Sequence, residues 1–79
     1  MKEINQTITD ILVEKLGIAP TEITPEANFM KDLGIDSLDY AELVMELEQA
    51  FNITIPDSEA EKIKTVGQAV AYVQEKQKG

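Results

Sequence analysis

Chemistry in this chain centres on one hydroxyl, Ser37, in the run Leu33-Gly34-Ile35-Asp36-Ser37-Leu38-Asp39. A glycine turn precedes it and an acidic amphipathic segment follows it. A serine becomes a nucleophile when a neighbouring base takes its proton, most often a histidine. The 79 residues contain no histidine and no cysteine. Ser37 is therefore better placed to be modified by another enzyme than to react by itself. Asp36 can cap the helix that follows, leaving Ser37 at the first helical position with its hydroxyl unspent. A phosphate ester there would sit at the positive end of the helix dipole. The only other serine, Ser58, has similar local character but no surplus apolar stripe behind it, so it is read as a helix-start residue.

The acidic residues do not form a metal loop. A calcium-binding loop needs oxygen ligands at alternating positions, a glycine at the sixth and a glutamate at the twelfth. Counting from Asp32 puts Gly34 third and Ser37 sixth, and counting from Asp36 puts Leu38 third and Ala41 sixth. Both registers fail, and no metal site is expected. An enzyme is equally unsupported, since no paired-carboxylate pattern marks a cleft.

The formal charge is -8, and its distribution is uneven. Eight acidic residues and no basic one fall between Ile35 and Glu61. Nucleic acid is an improbable partner, because neutralising phosphates needs clustered lysine and arginine. An anionic membrane surface is disfavoured on the same ground, and no apolar stretch is long enough to span a bilayer. The acidic block is either a solvated face that maintains solubility or the complement of a basic protein surface. The polar N-terminus lacks a signal-peptide apolar run, and a cytoplasmic protein is expected.

One domain over residues 1–79 is predicted, all-α, a small bundle of three longer helices and one short one. The first helix runs from about Lys2 or Glu3 to Leu16, with Ile4, Ile8, Ile11, Leu12 and Leu16 on one face and Gly17 as its left-handed stop. A long loop follows, from Ile18 to Ile35, tacked down by Ile18, Ile23, Phe29, Met30 and Leu33. The second helix starts at Asp36 or Ser37 and ends near Phe51, with Asp39 as the reciprocal member of a capping box. A short helix spans Asp57 to about Ile63, capped by Asp57 or by Ser58 with Glu61. The last begins after Thr65, with Gln68 three residues on, and buries Val66, Ala69, Val70 and Val73. Residues from Gln74 to Gly79 are expected to fray. Asn52 to Ile55 is the only strand-like stretch and stands alone.

The second helix has two apolar faces. At about 100° per residue, Tyr40, Leu43, Val44, Leu47, Ala50 and Phe51 form the core side. Leu38, Ala41 and Met45 cluster roughly 150° away, among Asp39, Glu42, Glu46 and Glu48. A surface helix needs one apolar stripe. The second is either a recognition surface rimmed by charge or is covered by the long loop. Recognition is favoured, since methionine suits adaptable binding surfaces.

Asp-Leu-Gly-x-Asp-Ser-Leu-Asp followed by Glu-Leu-Val-Met-x-Leu-Glu, here Asp32 to Asp39 and Glu42 to Glu48, resembles the acyl carrier proteins. Phe51, Ile55-Pro56-Asp57, Ala60-Glu61-Lys62-Ile63 and Thr65-Val66 are similar to the same family, so the resemblance covers essentially the whole chain. It implies that Ser37 receives 4′-phosphopantetheine from coenzyme A through a separate phosphopantetheinyl transferase, and that the arm's thiol carries acyl groups as thioesters. It implies docking by Asp36, Leu38, Asp39, Ala41, Glu42, Met45 and Glu48, with Ile55 beside the arm, onto basic patches of synthases, reductases, dehydratases and acyltransferases. Acyl chains would slip between the helices, with Leu47 and Ile63 as lining. Four positions depart from the commonest pattern. Tyr40 replaces a small polar residue, Ala41 a valine, and Asn52-Ile53 an acidic pair, and these bear on partner preference and acyl length. The chain begins at Met1 without a flanking linker, which suggests a discrete, monomeric carrier of fatty acid synthesis. A carrier for polyketide, lipid A, aminoacyl or D-alanyl transfer is the alternative.

Overall fold

The computed structural model describes residues 3–78. Four helices form the architecture: α1 (Ile4–Leu16), α2 (Ser37–Phe51), α3 (Asp57–Ala60) and α4 (Val66–Lys78). Helix α1 packs against both α2 and α4 and buries Ile8, Ile11 and Leu12 on the stripe that its periodicity dictates. Gly17 ends it with φ 69°. Ile18 N–H donates to the Leu12 carbonyl at 3.0 Å and Gly17 N–H to that of Val13 at 3.2 Å, the double closure of a left-handed cap. The start proposed at Lys2 lies outside the described residues; Glu3 is the N-cap.

The α1–α2 connection, with a single 3₁₀ turn at Pro20–Glu22, is a second wall of the core. Ala27, Phe29, Leu33 and Ile35 are all buried. Ala27 and Ile35 were not expected there, and Met30, expected to pack inward, is 49% exposed. Asn28 explains the difference. Its side-chain oxygen accepts the amides of Met30 and Lys31 at 3.0 and 2.9 Å, while Asp32 accepts the amide of Asn28 at 2.7 Å. That tight turn aims Phe29 inward and leaves Met30 outside.

The same loop pairs with the α3–α4 connection and the first residues of α4. Phe29 N–H donates to the Lys64 carbonyl at 2.9 Å, Val66 N–H to that of Ala27 at 3.1 Å, and Gly67 N–H to that of Pro25 at 2.9 Å. Asn28 and Thr65 form an isolated antiparallel bridge. So the extended pairing sits here, and Asn52 to Ile55 forms no strand. A Cβ at Gly67 would stand 3.0 Å from the Pro25 carbonyl oxygen, so a glycine allows this close approach.

Three expectations about the C-terminal half are corrected. Helix α3 stops at Ala60, because Lys62 and Ile63 close i→i+3 turns onto Glu59 and Ala60 instead of continuing the α-helical ladder. Its N-cap is Pro56, without a side-chain cap from Asp57 or Ser58. Helix α4 continues past Gln74 to Lys78, with the Lys76 ammonium 5.4 Å from the Tyr72 ring centroid. Gly79 lies outside the described residues. Val66, Ala69 and Val73 are buried and Val70 half-buried, as the spacing requires.

Helix α4 is started by a reciprocal cap. Thr65 Oγ1 accepts the Gln68 amide at 3.2 Å, and Gln68 Oε1 accepts the amides of Thr65 and Lys64 at 3.2 and 2.7 Å. One glutamine oxygen thus serves two backbone donors. Gln68→Ala is expected to lower stability by about 1–2 kcal/mol, read as a lower urea midpoint at unchanged slope. A midpoint within error of the parent would show that water replaces both bonds.

Candidate functional site

Ser37 is the first residue of α2 and is exposed. Two features of sequence put it there. Gly34 turns the chain with φ 69°, and Ile35, 3% exposed, is drawn into the core with its amide on the Phe29 carbonyl at 3.0 Å. Asp36 then caps the helix, its Oδ1 accepting the Asp39 amide at 2.8 Å. With the cap supplied by Asp36, no hydrogen bond among the described residues engages the Ser37 side chain. Leu43 and Leu47, 1% and 2% exposed, fix the opposite face of α2 in the core.

The outer face of α2 is uncovered. Leu38 is 78% and Met45 57% exposed, and Ala41 lies exposed between them. The long loop does not fold back over them, because Ala27, Phe29, Leu33 and Ile35 are committed to the core, and the Phe29 amide and the Pro25 and Ala27 carbonyls are bonded to the α3–α4 connection and the start of α4. Asp36 and Glu42 are exposed and Asp39, Glu46 and Glu48 half-buried around this stripe. Among the described residues no lysine pairs with these carboxylates; the ion pair there is Lys62 with Glu59 at 3.9 Å, on the exposed surface. Ala50, expected on the core face, is exposed near the end of the helix.

A groove of about 590 Å³ runs from Ser37 along α2, between Val44 and Met45 on one side and Ile55 and Ala60 on the other. Ile55, expected beside the arm among the docking residues, is buried at 4% exposure and lines the groove. Leu47 and Ile63, expected as lining for a chain, are both in the core. No helix of the described residues is long and apolar enough to cross a membrane, and no three acidic side chains among them converge to hold a metal.

Comparison with known proteins decides the family. The family described as the phosphopantetheine attachment site matches residues 6–73. An acyl carrier protein of Amoebophilus asiaticus is 55% identical over 76 residues, 96% of this chain and 95% of its own length. One of Rubrobacter xylanophilus is 57% identical over 76 residues, 96% and 94% of the two chains. The chain belongs to the acyl carrier protein family.

Two residues of this carrier have roles that sequence reasoning did not supply. Glu48, expected to dock partners, points one carboxylate oxygen at the Ile55 amide, 2.8 Å away. It braces the turn after α2, where Asn52 adopts φ 54° as the helix stop. Tyr40, placed on the core side, sends its hydroxyl across to the carbonyls of Ala60 and Ile63 at 2.6 and 2.7 Å. Burial pushes the Tyr40 phenol up from its ordinary value, so it stays a protonated donor. Neither bond has a local signature, since the partners are 7 residues and 20 or more residues away.

Glu48→Ala should lower stability by about 1–2 kcal/mol, whereas the exposed Glu42→Ala should stay within about 0.5 kcal/mol. Equal urea midpoints for the two variants would mean that the Glu48 bond contributes nothing net.

Proposed function

We propose that this carrier holds acyl intermediates of fatty acid synthesis as thioesters on a phosphopantetheine arm attached to Ser37. The observation that carries the reading is the exposed, unbonded Ser37 hydroxyl at the first turn of α2. The residues suit the group: backbone amides at a helix start favour the arm's phosphodiester, and a groove opens beside the attachment point. When bound, the arm supplies a thiol, which a chain without cysteine otherwise lacks. The protein is a carrier and not a catalyst, which accords with the absence of histidine and cysteine from the sequence.

The chain's own residues present the arm and select visitors. A phosphopantetheinyl transferase would approach Asp36, Ser37 and Leu38. Basic surfaces of synthases, reductases, dehydratases and acyltransferases would meet Asp39, Glu42 and Glu48, with Leu38, Ala41 and Met45 filling apolar pockets. Glu48 has one carboxylate oxygen occupied by Ile55 and contributes charge more than reach. Residues 1–79 act as one monomeric domain in the cytoplasm, and Leu47 and Ile63 line the route an acyl chain takes into the core.

Intact mass is the direct test. Incubation of the apo protein with coenzyme A, Mg²⁺ and a broad-specificity phosphopantetheinyl transferase should add one phosphopantetheine, and none to Ser37→Ala. No gain on folded parent protein would remove the carrier role. Loading of the holo protein with malonyl but not aminoacyl donors distinguishes fatty acid synthesis from an aminoacyl or D-alanyl carrier. Glu42→Lys should weaken binding to a basic synthase several-fold at low ionic strength, with helix content unchanged. Unaltered affinity would rule out steering by Glu42.

A further inference from the structure

Two cavities meet at Tyr40. The groove beside Ser37, about 590 Å³, and a second cavity of about 450 Å³ against Phe29, Met30 and Ile63 share Tyr40, Ala60 and Glu61 as lining. The Tyr40 ring lies against Phe29, with centroids 5.8 Å apart and planes tilted by 50°. Phe29 is 1% exposed, which fixes the ring on its inner side. On its outer side the single hydroxyl proton is shared between the Ala60 and Ile63 carbonyls, at 2.6 and 2.7 Å. None of the four residues of α3 is buried, so apolar burial does little to hold α3 against α2. The phenol bonds the last residue of α3 and the turn beyond it.

We propose that Tyr40 is a partition that limits the length of the acyl chain this carrier shelters. A short chain leaving the Ser37 arm lodges in the groove between Val44 and Ile55. A long chain reaches the phenol and can enter the cavity against Phe29 and Ile63 only if the bonds to Ala60 and Ile63 break. The inference rests on the carrier reading and adds a length-determining residue to it. Tyr40 acts by position, through α3, and takes no part in bond making.

The test uses the full holo chain loaded with butyryl or dodecanoyl thioester, with hydroxylamine cleavage followed by intact mass. In the parent, dodecanoyl should be shielded no better than butyryl. Tyr40→Phe keeps the ring on Phe29 and removes only the hydroxyl. It should slow dodecanoyl cleavage about fivefold, the effect of losing one net hydrogen bond, and leave butyryl within about twofold of the parent. Amide exchange in the apo variant should rise at Ala60 to Ile63 and not in α4, which a general loss of stability would not reproduce. Tyr40→Thr, which also removes the ring, should extend the shielding further; if it does not fold, Tyr40→Phe decides. An unchanged dodecanoyl-to-butyryl ratio in Tyr40→Phe overturns the partition while leaving the carrier role intact. Failure of the parent to accept the arm overturns the carrier role and the partition with it.

Discussion

The seating of Phe29 is the interaction on which the remaining structure depends. Its amide donates to Lys64 and its carbonyl accepts from Ile35. Its ring is buried against Tyr40, whose hydroxyl binds the end of α3. One loop residue therefore ties the α1–α2 connection to the α3–α4 connection, sets the approach to α2, and backs the residue that holds α3. A long loop without such anchoring would lose its conformational entropy for little return. Here it buries Ala27, Phe29, Leu33 and Ile35, and that burial stabilises the ordered path.

The consequence for function lies on the other side of α2. Because the loop is committed to the core, it cannot cover Leu38, Ala41 and Met45. The helix is left with an apolar stripe in water, surrounded by carboxylates with no lysine partner among the described residues. In an isolated monomer this arrangement forgoes apolar burial and accumulates repulsion. It gains value when a basic, apolar-pocketed surface arrives. Ser37 stands at the head of the same helix, so the attachment point and the docking surface move as one rigid element. Helix α3 is the weakly held counterpart, with no buried residue of its own.

What could be read from sequence followed from local periodicity and capping. The bounds of α2, the Asp36 cap, the Gly17 stop and the Thr65–Gln68 cap are all encoded within four residues. So are the exposed stripe and the position of Ser37 relative to its helix. Long-range features were not legible in the same way. Met30 lies outside and the unremarked Ala27 inside because the Asn28 turn, not hydropathy, sets the register of the loop. Ile55 is buried although it sits beside Pro56 in an exposed turn, since Glu48 draws its amide in. The Tyr40 bond was invisible because its acceptors are backbone carbonyls, which carry no residue type. The length of α3 depends on i→i+3 turns at Glu59 and Ala60 that no side chain announces.

Site-resolved amide hydrogen exchange on the full chain tests the central claim, that the α1–α2 connection is core structure and keeps the outer face of α2 clear. The amides of Phe29, Ile35 and Val66, bonded to Lys64, Phe29 and Ala27, should exchange nearly as slowly as those of Leu43 and Leu47 in the middle of α2. Exchange of Phe29 and Val66 at the rate of an unprotected loop would contradict the account, because a connection that opens so readily is at liberty to fold over Leu38 and Met45.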